Sequence, residues 1–232
     1  MVPLDHPKFR HVVPEIFTRR VVVDCMNHAC IVVGGDATQG PRPDACCQYG
    51  ADVDLFERDK ILARAGELRA ILREDARDVP WFGTEVEPDE DAPSGAFVRT
   101  AVHDIGGRGP APAGSAADGS AAEGRGGSID GGCVFLSHDR RGCAIHRASL
   151  ENGWDFRGTK PHVCRLFPLT YTTDAIMISD DYTDYSCASV PDAPTLYRGA
   201  RDLLGEIFGA ELVAKLDALE AQTLARRLPV AR

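Results

Sequence analysis

The residues best suited to chemistry in this chain are its eight cysteines: Cys25, Cys30, Cys46, Cys47, Cys133, Cys143, Cys164 and Cys187. Cys46 and Cys47 are adjacent, in "DACCQYG". Neighbouring cysteines make poor disulfide partners, because the small ring strains the peptide away from the preferred S–S geometry. Thiolates gathered near one another repel, and a bound cation or cluster relieves that charge. The bland alternative for each cysteine is a small apolar core residue, a common role for a thiol outside disulfides. The vicinal pair and the number of cysteines favour metal ligation, with all eight as candidate ligands.

The spacings narrow the type of site. They run C-x4-C, fifteen residues, CC, and later C-x9-C, twenty residues, C, twenty-two residues, C. No C-x2-C knuckle occurs, so a zinc ribbon or RING is disfavoured. The ferredoxin run C-x2-C-x2-C-x3-C is absent, and so is the C-x3-C-x2-C motif of radical S-adenosylmethionine enzymes. What is left is a thiolate site assembled from several separate segments. Successive side chains diverge along an extended chain, so Cys46 and Cys47 are compatible with one shared centre or with two. Arg147, near Cys143, and Arg165, beside Cys164, are placed to offset part of the thiolate charge.

Other titratable residues carry less. His28, between two candidate ligands, is placed to bind metal but is a weaker candidate than the cysteines, and His146 and His162, near Cys143 and Cys164, read as hydrogen-bond donors around a site or as surface residues. His6, His11, His103 and His138 carry no signal. Glu57, Asp59 and Glu67 read as the solvated face of a helix. The acidic "SDDYTDYS" lacks calcium-loop spacing, and "GGDATQG" lacks the lysine and following helix of a phosphate loop. No G-x-S-x-G or other nucleophile constellation is present, and no catalytic residue is assigned.

Several elements must position these cysteines. Residues 12–24, "VVPEIFTRRVVVD", end in a β-branched run that predicts a strand leading to Cys25. Residues 54–75 predict one helix, capped by Asp54 with Glu57 three residues on, and Leu55, Ile61, Leu62, Ala65, Leu68 and Leu72 fall on one face. The acidic, proline-bearing "TEVEPDEDAPSG" reads as a linker, followed by a strand in "AFVRTAVHD". Residues 105–131 are mostly Gly, Ala, Ser and Pro and predict a disordered insertion. Beyond it come a short strand in "CVFLSH", a short helix in "CAIHRASLENG" stopped at Gly153, a helical turn in "KPHVCRLFP", and a hairpin in "LTYTTDAIMIS". Residues 194–228 predict two helices, or one broken near Gly209. The expected architecture is a single α+β cysteine-cluster domain spanning 1–232, small, loop-rich and closed by C-terminal helices.

Totals set outer bounds. The chain has 232 residues, 44% of them apolar, and a net charge of −9. An acidic balance argues against nucleic acid as a partner, because phosphate binding needs a basic face. No stretch approaches the roughly 18 apolar residues of a membrane helix, and the N-terminal "MVPLDHPKFRHVVPEIF" lacks the apolar core of a secretory signal. The expectation is a soluble cytoplasmic protein with no nucleic-acid or membrane partner. In a reducing compartment such cysteines point to metal or thiol chemistry rather than disulfides.

The motifs "DACCQYG", "CVFL", "GCAIHRA" and "KPHVCRLFPL", in that order, resemble the YkgJ-type cysteine-cluster family, described as zinc- or iron-chelating proteins. That family's closing pattern, [RK]P-x-x-CR-x-[FY]-P, is matched by Lys160, Pro161, Cys164, Arg165, Phe167 and Pro168. The resemblance covers residues 25 to about 187 outside the insertion. Its opening pattern is CxxCxxCC-like, whereas here four residues separate Cys25 from Cys30 and fifteen separate Cys30 from the pair. The wider family includes flagellin lysine methylases, but no motif here carries methyl transfer by itself.

Two functions follow as expectations. In the first, the thiolates hold an iron–sulfur cluster of the [4Fe–4S] type, used in redox or group-transfer chemistry. In the second, Zn2+ in four-thiolate sites staples a loop-rich, non-catalytic binding module. Two sets of four suit zinc; scattered single ligands and the family resemblance favour the cluster.

Overall fold

A computed structural model describes residues 1–23, 50–90, 92–104, 131–137, 142–180, 182 and 186–227. Cys25, His28, Cys30, Cys46, Cys47, His138 and the 105–131 insertion up to residue 130 lie outside the described residues. The strands are β1 (Val2–Pro3), β2 (His11–Val12), β3 (Asp52–Asp54), β4 (Phe82–Pro88), β5 (Ala96–Thr100), β6 (Val102–Asp104), β7 (Gly131–Cys133), β8 (Leu169–Tyr171) and β9 (Ala175–Ile178). The helices are α1 (Leu55–Leu62), α2 (Ala65–Ile71), α3 (Ala144–Asn152), α4 (His162–Leu166), α5 (Leu196–Phe208) and α6 (Ala210–Arg227). The fold is α+β, as expected. The chain divides into two compact units: Ala29–Pro161, and Met1–His28 together with His162–Arg232.

In the unit Ala29–Pro161, β3, β5 and β4 form an antiparallel sheet with β5 central. Asp54 ends β3 and caps α1, its carboxylate accepting the Phe56 N–H at 2.8 Å. The same carboxylate accepts the Ser94 N–H and hydroxyl, at 2.8 and 2.6 Å. Burial pushes the Asp54 carboxyl up, but the hydrogen bonds from Ser94, Phe56 and Glu57 outweigh it and hold the group below its ordinary value.

Two expectations here are corrected. Residues 54–75 form not one helix but α1 and α2, with the break at Ala63 and Arg64. Arg64 leaves helical geometry (φ −104°, ψ 16°) and lays its guanidinium 4.4 Å from the Trp154 ring centroid, and Gly66 just beyond is a weak helix former. The break lets Ile61, Leu68 and Leu72 all reach full burial while Leu62 stays 45% exposed. The first five of the twelve residues of the acidic "linker", Thr84 to Pro88, belong to strand β4, whose residues from Gly83 to Pro88 are solvent-exposed. Its glutamates and closing proline suit an edge strand, where charge and a missing donor discourage further pairing.

β6 and β7 pair antiparallel, with Val102 opposite Cys133. Val53, Ile61, Leu68, Leu72, Trp81, Phe135, Leu136 and Ile145 build the core of this unit, and Cys133 and Cys143 belong to it. Trp81 meets Phe135 edge to face at 5.5 Å.

The other unit carries a mixed sheet in the order β1-β2-β9-β8, with β2 and β9 parallel. The expected β8–β9 hairpin forms, pairing Leu169 with Ile178 and Tyr171 with Ile176. The strand expected of the β-branched run after Arg20 does not form over Val21–Val23: after β2, Pro14–Phe17 is a 3-10 turn, and Val21 and Val22 donate singly to the carbonyls of Pro194 and Cys187. β-branched residues favour extended backbone, but a ladder also needs one continuous partner, and here the two acceptors lie seven residues apart. α5 starts at Thr195, whose hydroxyl accepts the Arg198 N–H, and stops at Gly209, at φ +90°. α6 returns beside α5: Arg201 forks onto Asp217, Tyr197 donates to Asp217 at 2.7 Å, and Arg198 pairs with the buried Glu220. Among the described residues no helix is long and apolar enough to cross a membrane.

Candidate metal centre

Cys133 and Cys143 are brought together by backbone hydrogen bonds. The carbonyl of Cys133 accepts the Leu136 N–H at 2.9 Å, reversing the chain immediately after β7. Leu136 then faces Cys143 in an antiparallel bridge, Ser137 donates to the Gly142 carbonyl, and Ala144 donates to the Phe135 carbonyl at 2.7 Å. Cys143 thus lies alongside the turn that Cys133 opens, and it is also the N-cap residue of α3. A helix N-terminus favours negative charge and so supports a thiolate there. Each of the two residues is 8% exposed, packed among Phe135, Leu136, Ala144 and Ala148.

Thr100 is the neighbour that sequence reasoning missed. Its Oγ1 accepts the Ala51 N–H at 2.8 Å and lies 3.5 Å from Cys133 Sγ. Gly50 is seated against the same side chain: at φ +75°, a Cβ there would come within 3.0 Å of Thr100 Oγ1, Thr100 O and Val102 Cγ2. Only glycine combines that backbone with that approach, and Gly50 follows Cys47 by three residues in "CCQYG". The available signal was register. Val98 and Thr100 are the inward-facing residues of β5, Arg99 the outward one, so a hydroxyl stands where an apolar residue is expected.

Cys164 and Cys187 lie in the other unit. Cys164 is half-buried on α4. The neighbouring Arg165, expected to offset thiolate charge, forks onto Glu206 at 2.6 and 3.1 Å, so a carboxylate balances it. Cys187 is 7% exposed in the 3-10 turn Ser186–Ser189, and its carbonyl accepts the Val22 N–H at 3.2 Å. Nearby Tyr182 donates its hydroxyl to the Arg20 carbonyl, and burial pushes its phenol above the ordinary value.

The histidines sit in packed surroundings. His146 is buried, with its ring stacked on Phe156 at 4.2 Å and 26°. His162 Nε2 lies 3.1 Å from the Tyr171 hydroxyl. Among the described residues, no group of three or more His, Cys, Asp or Glu side chains comes together as a metal site. Cys133 and Cys143 are both buried, and thiol sulfurs are donors of the kind that suit a thiophilic ion or cluster. No protein-family model, no curated protein and no solved structure matches the chain.

Proposed function

We propose that the chain binds metal through cysteine thiolates, with Cys133 and Cys143 as the described part of a centre that holds a [4Fe–4S] cluster. Cys30, Cys46 and Cys47 are the remaining candidate ligands of the same unit, and Cys25, Cys164 and Cys187 are candidate ligands in the other unit, assigned to no particular centre. The observation that carries the reading is the convergence around Thr100. Cys133 and Cys143 flank one turn, Thr100 touches the Cys133 sulfur, and Gly50, the outlet of the Cys46–Cys47 segment, rests on Thr100. When bound, such a cluster supplies one-electron transfer or a site for group transfer. The protein's own contribution is an apolar surround, a helix N-terminus beside Cys143 and a fixed turn.

The depth of the two sulfurs also supports a second reading. Donors at 8% exposure inside an apolar core suit a closed four-thiolate Zn2+ site that stabilises the fold without chemistry. Protein purified without oxygen distinguishes the two: a brown sample with broad visible absorption and iron on elemental analysis supports the cluster. A colourless sample with stoichiometric zinc supports the staple. In either case Cys46→Ser combined with Cys47→Ser is expected to lose metal and lower the melting temperature. Metal content and melting temperature both unchanged would overturn the ligand assignment.

A further inference from the structure

We infer that Thr100 is a positioning residue for the centre: its hydroxyl donates to the sulfur of Cys133 and tunes that ligand's bond to the metal. The inference rests on the thiolate-metal reading above and deepens it.

The direction of the hydrogen bond follows from proton counting. Thr100 Oγ1 and Cys133 Sγ are 3.5 Å apart, within reach for a sulfur acceptor, and both residues are buried. A thiol and a hydroxyl could each be the donor. A metal-bound cysteine has lost its proton, so the only proton left between the two atoms is on Thr100. That hydroxyl has one proton to give and two acceptor positions, and the Ala51 N–H at 2.8 Å occupies one of the latter. The contact therefore becomes O–H···S−, a charge-assisted bond and the stronger kind.

The hydroxyl is also held in place from outside. Ala51 and Thr100 exchange two bonds, Ala51 N–H to Thr100 Oγ1 and Thr100 N–H to the Ala51 carbonyl, both at 2.8 Å. Val134 donates to the Ala101 carbonyl at 2.8 Å, which fixes β5 and its continuation against the strand bearing Cys133. Gly50 lies so close that an added Cβ would come within 3.0 Å of the Thr100 hydroxyl. A donor held in this way orients its ligand and withdraws electron density from it, as hydrogen bonds to ligand sulfurs do in metal–thiolate sites generally.

The test uses the full chain, loaded with Co2+ as a probe that reads thiolate ligation by its sulfur-to-cobalt charge-transfer absorption whichever metal is native. Thr100→Val removes the donor and keeps the shape; Thr100→Ser keeps the donor. Loss of the hydrogen bond raises the energy of the sulfur lone pair, so the band is expected to move to longer wavelength in Thr100→Val, at unchanged cobalt stoichiometry, and to stay at the wild-type position in Thr100→Ser. If the cluster is native, the reduction potential of the reconstituted protein falls in the valine variant and is restored by serine. A band at the same wavelength in wild type and Thr100→Val overturns the role of Thr100 and leaves the metal reading standing. A wild-type protein without any thiolate-to-cobalt band overturns both. Should Thr100→Val fail to fold, Thr100→Ser decides: a serine band displaced from the wild-type position refutes the hydroxyl as the operative group.

Discussion

Leu136 is the residue whose removal best tests how the cysteine turn is held. It is fully buried in the core of the unit Ala29–Pro161, between Cys133 and its bridge partner Cys143. Leu136→Ala deletes three side-chain carbons, worth about 2.4 kcal/mol at roughly 0.8 kcal/mol per buried methylene. The cavity left behind raises the expected loss to about 3–4 kcal/mol. Alanine keeps the backbone N–H that bonds the Cys133 carbonyl, so the turn should persist in a weakened core. The chain's two tryptophans, Trp81 and Trp154, both lie in this unit, so fluorescence-detected urea unfolding reports it selectively. With a slope of about 2 kcal/mol per molar urea, the midpoint should fall by about 1.5–2 M. Leu150→Ala is the control, because Leu150 on α3 is 61% exposed and its loss should stay within about 0.5 kcal/mol. If the two variants unfolded at the same urea concentration, or Leu136→Ala lost less than about 1 kcal/mol, the account of this core would be wrong.

Two further perturbations address charge. Asp54→Ala removes the cap of α1 and the clasp on Ser94, for an expected loss of about 2 kcal/mol at pH 7. Because the Asp54 carboxyl is held below its ordinary value of 3.8, its stabilisation is present above that pH and lost on acidification below it. Urea midpoints of wild type and variant should therefore converge as the pH drops below about 4, and a constant gap would refute the role. Tyr197→Phe removes the hydroxyl that donates to Asp217 and to the Val213 carbonyl, costing about 1.5–2 kcal/mol. Arg201 first, and then Tyr197, hold the Asp217 carboxyl down to about 2, so the Asp217 share of this contribution stays intact at pH 4 and is lost only as the pH falls through about 2, leaving the bond to the Val213 carbonyl. Circular dichroism melts at pH 7, 4 and 2 check that order, and a gap already closed at pH 4 contradicts it.

What could be read from the sequence was whatever a residue enforces locally. Asp54 caps because its carboxylate meets nearby N–H groups, Gly153 and Gly209 stop helices, and the β8–β9 hairpin follows from alternation around a short turn. What could not be read was decided by distant partners. β4 has the composition of a linker and becomes a strand because β5 supplies its ladder. Val21–Val23 have the composition of a strand, but Val21 and Val22 bond single carbonyls seven residues apart, at Pro194 and Cys187, and build no ladder. In the site, the identity of the cysteines drew attention to Cys133 and Cys143, while the turn joining them depends on the Leu136 N–H, a group any residue could provide, and on Gly142, whose φ of +69° favours glycine. Thr100 acquires meaning only once β5 and β7 are fixed through Ala101 and Val134.

The chain order of the two units has a consequence for synthesis. Met1–His28 belongs with His162–Arg232, and Ala29–Pro161 stands between them. Arg20 bonds the carbonyl of Ala193, 173 residues away, and β2 needs β9 for its parallel partner. At about 5–20 residues per second, the ribosome leaves that N-terminal segment waiting on the order of ten to thirty seconds. Phe9, Ile16 and Phe17, all fully buried in the finished protein, are without their native cover in the meantime. The intervening unit can complete its own core first, so for a nascent chain the vulnerable interval belongs to the segment made before it.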